Sequence, residues 1–145
     1  MNPKLINGNR ILDNRGSLRF SNELDLKNIK RFYTVHNYNK NFIRAWHGHM
    51  NEDKYIGCIK GTFQVSAVKI DNVKKPNKKN KIHNFFLNES DSNFVHISKG
   101  FANGSMSLEE NSELLIFSTS SIKESLKDDI RYDVKYWNPW QISQR

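Results

Sequence analysis

Apolar and polar positions alternate along much of this chain with a period of two, the spacing of a strand that buries one face. The segment Thr62-Phe63-Gln64-Val65-Ser66-Ala67-Val68-Lys69-Ile70 shows it best. Phe63, Val65, Ala67 and Lys69 share one face there, and only that face is expected to meet the core. Similar strand-like runs cover Arg31 to Asn37, Phe42 to Trp46, Tyr55 to Ile59, Ile82 to Leu87, Phe94 to Ile97 and Leu114 to Ser118. Turn residues separate them at Asp13-Asn14-Arg15-Gly16, Lys60-Gly61 and Lys99-Gly100, where Gly, Asn and Asp tolerate positive φ. Leu24 to Lys30 and Ile122 to Lys127 are expected to form short helical turns, since neither sustains a helical period. The pattern predicts an all-β sandwich or barrel with short helical turns.

Composition narrows this. A length of 145 residues suits one domain, residues 1–145, with a real hydrophobic core. Apolar residues make up 37% and aromatic residues 12%, too much for a disordered chain. No apolar run approaches the ~18 residues of a membrane span, and Met1-Asn2-Pro3-Lys4 lacks the apolar core of a signal peptide, so a cytoplasmic protein without a membrane partner is expected. Cys58 stands alone, which excludes an intrachain disulfide and a thiolate zinc site; its expected place is the core. The net charge of +8 calls for an anionic partner. Much of that charge lies in Lys74-Lys75-Pro76-Asn77-Lys78-Lys79-Asn80-Lys81, which has no interleaved aromatics and reads as a solvated turn, not a nucleic-acid surface. Trp137-Asn138-Pro139-Trp140 reads as a packed tail.

The chemistry concentrates in Arg44-Ala45-Trp46-His47-Gly48-His49, followed by Lys54 and Gly61. This spacing resembles the first motif of the cupin superfamily, in which two histidines point to one side of a strand and a later carboxylate completes a metal site. Here Lys54 stands in the carboxylate position. The second cupin motif corresponds to Ser98-Lys99-Gly100-Phe101-Ala102-Asn103, with Asn103 in place of a histidine. Two imidazoles beside an ammonium make a poor cation site, so no metal and no other cofactor is expected. The same set suits proton transfer, because a neighbouring ammonium keeps an imidazole neutral and able to act as a base.

Arg44-x-x-His47, Lys54, Gly100-Phe101-Ala102-Asn103-Gly104 and the early Asp13-Asn14-Arg15-Gly16 together resemble the dTDP-4-dehydrorhamnose 3,5-epimerase family. The resemblance runs from about Asp13 to Trp140. It implies a cupin fold, that is, a double-stranded β-helix or jelly-roll barrel, assembled as a homodimer. It also implies a metal-independent epimerase for a nucleotide-linked 4-keto-6-deoxy sugar, in the making of cell-surface polysaccharide sugars. On this resemblance His47 is the base and Lys54 the stabiliser of the enolate oxygen. On the same resemblance Arg44, Arg15, Asn103 and Phe101 bind substrate.

The chain departs from that family in two places. The strand carrying the family's general-acid tyrosine corresponds to Glu113-Leu114-Leu115-Ile116-Phe117-Ser118-Thr119-Ser120, without a tyrosine, and the family's histidine-orienting aspartate lies in an extension beyond Arg145. His49 is similar instead to the second histidine of the related dTDP-sugar 3,4-ketoisomerases, a likeness that implies a second proton carrier. So are Ile29-Lys30-Arg31-Phe32-Tyr33 and Asp128-Asp129-Ile130-Arg131-Tyr132-Asp133. The alternatives are therefore a 3,4-ketoisomerase on the same substrate class and a non-catalytic sugar-nucleotide-binding cupin.

Overall fold

Every strand-like run read from the alternation becomes a strand, with ends moved by two or three residues at most, in a computed structural model that describes residues 1–142. In chain order the strands are β1 (Lys4–Ile6), β2 (Asn9–Asp13), β3 (Gly16–Phe20), β4 (Arg31–Asn37), β5 (Ile43–His49) and β6 (Lys54–Lys60). They continue with β7 (Thr62–Lys69), β8 (Ile82–Asn88), β9 (Phe94–Ile97), β10 (Phe101–Ser107) and β11 (Ser112–Ser118). A helix, α1 (Ile122–Lys127), and a short strand, β12 (Ile130–Arg131), follow. Ser121 caps α1 through a reciprocal box with Glu124, which explains why so short a segment is helical. Leu24 to Lys30 is irregular chain instead of helix, with a single turn at Lys27-Asn28, where the Asp25 carboxylate accepts from the Lys27 N–H.

The strands build two antiparallel five-stranded sheets, ordered β1-β9-β6-β11-β4 and β12-β5-β10-β7-β8. They face each other across one core that includes Ile56, Cys58, Phe63, Val65, Leu87, Val95, Leu114 and Ile116. This is the all-β cupin barrel. Cys58 lies inside it, and burial pushes its thiol up to about 12.

β7 corrects the expectation of one buried face. Gln64, Ser66 and Val68, on the side away from the core, are also buried, and Gln64 donates to the Pro139 carbonyl at 3.0 Å. The C-terminal tail covers that side of the sheet. Trp46, Val68, Ala102, Met106, Trp137 and Trp140 form a second core there, with the Trp46 and Trp137 rings meeting edge to face at 5.4 Å. Gly104 belongs to this seam, since a Cβ on it would lie 2.6 Å from Ala45 Cβ and 3.0 Å from the Trp140 ring. Lys69 ends its strand exposed.

The lysine-rich turn between β7 and β8 is tied to the same tail. Tyr132 and Tyr136 donate their hydroxyls to the Val73 and Pro76 carbonyls, and Trp137 Nε1 donates to the Asn77 carbonyl. Among the described residues no helix is long and apolar enough to cross a membrane.

Candidate active site

The open end of the barrel holds a cavity of about 290 Å³ whose wall brings together much of the chemistry seen in the sequence. β5 supplies Arg44, His47 and His49; β6 supplies Lys54; β10 supplies Asn103 and Ser105. β4 adds Arg31, Tyr33 and Val35, and the segment around α1 and β12 closes the rim with Leu126, Asp129 and Arg131.

Strict alternation would put His47 and His49 on one face of β5 and Arg44 on the other. The pairing with β10 shows how Arg44 joins them. Asn103 pairs with His47 but Ser105 pairs with Arg44, so three steps on β5 match two on β10. This bulge turns Arg44 to the cavity side. Its guanidinium is then held by Asn37 Oδ1 at 2.8 Å and the His36 carbonyl, over the Phe42 ring. The Arg-x-x-His spacing is thus the signature of a bulged strand.

Lys54 begins β6 and shares its inward face with Ile56 and Cys58, so the ammonium caps the apolar core from above. Burial pushes it below its usual range, and Glu52 opposes that push. Burial is also the largest cause holding both imidazoles below 6.5, and Lys54 is the second. His49 is anchored as well: its Nδ1 lies 2.8 Å from the Asp128 carbonyl, which makes Nδ1 the donor and leaves Nε2 as the nitrogen that takes up a proton. The Asp128 carboxylate accepts from the backbone N–H groups of Met50 and Asn51, clamping the turn after β5 to the end of α1.

The sequence reading had no acid partner for the histidines and no tyrosine. An aspartate and a tyrosine reach the cavity wall from other elements. β12 pairs with β5, placing Arg131 opposite His47, and the adjacent Asp129 lies on the cavity wall, where its charge favours a proton on His47. Tyr33 comes from β4, beside the strand where the family tyrosine was sought, with Ile116 of β11 as its cross-strand neighbour. Burial first and Glu52 second push its phenol up to about 12. Glu52 was missed entirely; it is buried between Arg31, His49 and Lys54. The sequence signal for it was the acidic pair Glu52-Asp53 between the second histidine and Lys54.

Two expected substrate contacts fall elsewhere. Phe101 is a core residue: it points inward on β10, packs among Phe63, Val65 and Ile97, and meets His83 edge to face. It does not line the cavity. Arg15 sits at the tip of the β2–β3 hairpin, paired with Asp13 at 2.6 Å and largely exposed, away from the cavity of its own chain. Asn103 does line the cavity, but its amide is already engaged, donating to the His47 carbonyl at 3.1 Å. Among the described residues no group of three or more His, Cys, Asp or Glu side chains is placed to hold a metal ion.

A cupin barrel with two strand histidines facing a buried lysine defines the class. Residues 1–138 match the family model described as FdtA, WxcM-like, C-terminal, and the chain belongs to that family. Its fold is similar to a 3,4-ketoisomerase from Helicobacter canadensis, with 21% identity over 94% of this chain and 95% of the other and a TM-score of 0.70. It is similar in the same way to the dTDP-4-dehydrorhamnose 3,5-epimerase of Bacillus anthracis, with 18% identity over 98% of this chain and 86% of the other and a TM-score of 0.76. The WlaRB TDP-quinovose 3,4-ketoisomerase of Campylobacter jejuni shares 22% identity over 93% and 96% of the two chains, with a TM-score of 0.69. No curated protein matches the sequence.

Proposed function

We propose that this chain is a sugar-nucleotide isomerase that moves the carbonyl of a nucleotide-linked 4-keto-6-deoxy sugar from C4 to C3. One observation carries the reading: His47 and His49 project from one face of β5 into one cavity whose wall also holds Lys54. His47, held neutral by burial and by Lys54, takes the proton from C3. The electrons form an enediolate across C3 and C4, and the oxyanion at O4 faces the Lys54 ammonium. His49, carrying a proton on Nε2 when the substrate enters, delivers it to C4 while the hydroxyl proton passes from O3 to O4. His47 ends the turnover protonated and His49 neutral, and proton exchange with solvent resets the pair, so bonds and charge balance. Two imidazoles on one strand face suit this transfer between adjacent carbons on the same side of the ring. Arg31, Arg44 and Arg131 on the same wall match a diphosphate through their planar forks.

Tyr33 favours a second reading, epimerisation. It belongs to the sheet facing β5, so its phenol could protonate the carbanion from the side opposite His47. Burial and Glu52 push that phenol up to about 12, while carbonyl migration rests on the paired imidazoles of β5, both on the cavity wall.

The test incubates the protein with dTDP- or GDP-linked 4-keto-6-deoxy sugars in deuterated water and follows the sugar by NMR. A ketone that moves to C3 supports the ketoisomerase. Inversion at C3 or C5, with deuterium incorporated and the ketone still at C4, supports the epimerase, and Tyr33→Phe should then abolish inversion. Nucleotide-sugar binding without exchange would leave a non-catalytic binder and overturn both.

The assembly we propose is a homodimer through the β2–β3 hairpin. Among the described residues β2 and β3 pair as strands only with each other, and the hairpin holds Ile11, Leu12 and Leu18 well exposed, an apolar arm suited to a second copy.

A further inference from the structure

Glu52 stands three residues after His49, and its side chain is fully buried. Neither of its carboxylate oxygens has a hydrogen-bond partner. A buried carboxylate in that condition is unfavourable unless charge of the opposite sign surrounds it. Two cations, Arg31 and Lys54, and the titratable imidazole of His49 stand around it, one from each strand that meets here. Arg31 Nη2 of β4 lies 3.9 Å from Oε1, while His49 Nε2 of β5 and Lys54 Nζ of β6 lie 3.9 Å and 3.8 Å from Oε2. These separations are too long for direct hydrogen bonds, but at such range the Coulomb attraction is strong and little screened.

The geometry is directional at His49. Its Nδ1 is committed to the Asp128 carbonyl, so any proton it gains arrives on Nε2, the nitrogen turned toward Glu52. We propose that Glu52 is the positioning residue of this site, a buried counter-charge shared by Lys54 and His49 that keeps the ammonium charged and lets His49 Nε2 carry a proton. Glu52 itself exchanges no proton with substrate, since it does not line the cavity.

The charges around the pair agree. On Lys54, Glu52 is the leading influence against burial, with Arg31 acting the other way and Asp129 assisting. On His49, burial and Lys54 push down, and Glu52 leads the opposition, ahead of Asp128. Tyr33 faces the same carboxylate from β4, and His47 feels Lys54, Arg131, Asp129 and His49. Removing one negative charge therefore acts on Lys54 and His49 at once.

Only the kinetic consequence rests on the proposed function; the electrostatic role can be measured without it. In the free protein, Lys54 and His49 are titrated by heteronuclear NMR in the wild type, Glu52→Gln and Glu52→Asp. Glu52→Gln should lower both midpoints by about one unit or more, a tenfold loss of proton affinity, and Glu52→Asp by less. A folded Glu52→Gln with both midpoints within about 0.2 units of wild type would overturn the proposal. Should Glu52→Gln fail to fold, the Glu52 carboxyl shift in the wild type decides: a carboxylate at neutral pH supports the proposal and a neutral acid overturns it. In the exchange assay, Glu52→Gln should lower kcat about tenfold at unchanged KM. If the wild type exchanges with no sugar nucleotide, the functional reading fails and the titrations still judge Glu52.

Discussion

Replacing Lys54 by Met tests the centre of the mechanism. Its ammonium lies 3.8 Å from Glu52, an attraction of about 4 kcal/mol at an effective dielectric near 20. Met removes that attraction and also the several kcal/mol of desolvation that the buried ammonium suffers. Arg31 stays 3.9 Å from Glu52, so the carboxylate keeps a partner and the fold should lose only about 1–2 kcal/mol. Catalysis should lose far more. A group aimed at a developing oxyanion is worth about 3–4 kcal/mol, or 10²- to 10³-fold in kcat, with KM for the nucleotide sugar little changed. The two histidines report the same substitution independently. Lys54 opposes their protonation, so its loss should raise both imidazole midpoints in an NMR titration. Solvent-deuterium exchange within about threefold of wild type, or midpoints that stay put or fall, would refute the assignment of Lys54.

The pH dependence has a definite sign. Both cavity imidazoles are depressed below 6.5, so the unfolded chain binds their protons more tightly; their contribution to stability is complete above 6.5 and is lost as pH falls through the depressed values. The melting temperature should decline on acidification below 6.5, less steeply in His47→Asn, and exchange activity should show an acidic limb in the same window. Trp137→Ala removes a ring buried against Trp46 and should cost about 3–5 kcal/mol in urea unfolding; a loss under about 1 would mean that the tail is not a structural cover. Leu18→Asp puts a charge on the apolar hairpin and should shift the mass seen by light scattering from two chains to one. A wild type already monomeric would end the dimer proposal.

Local pattern carried much of the barrel. A strand with one inward face repeats every second residue, so β4, β6, β7 and β9 were readable from their apolar positions. β10 was not: Phe101-Ala102-Asn103-Gly104-Ser105-Met106-Ser107 is polar and glycine-bearing, yet it lies at the centre of its sheet, buried by residues far away in sequence. β2 and β3 escaped because, within one copy of the chain, they bury almost nothing.

The site divides in the same way. By itself, the sequence determined that two histidines share a strand face and that a lysine takes the place of a carboxylate, because period-two geometry and motif spacing are local. It could not determine that a bulge turns Arg44 into the cavity, that Phe101 belongs to the core, or that Tyr33 arrives from a neighbouring strand. Nor could it show that Asp128 and Asp129 reach the histidines from beyond α1, or that Glu52 is buried against Arg31, His49 and Lys54. Those facts depend on which strands pair and in what register, and register is a property of the folded chain as a whole.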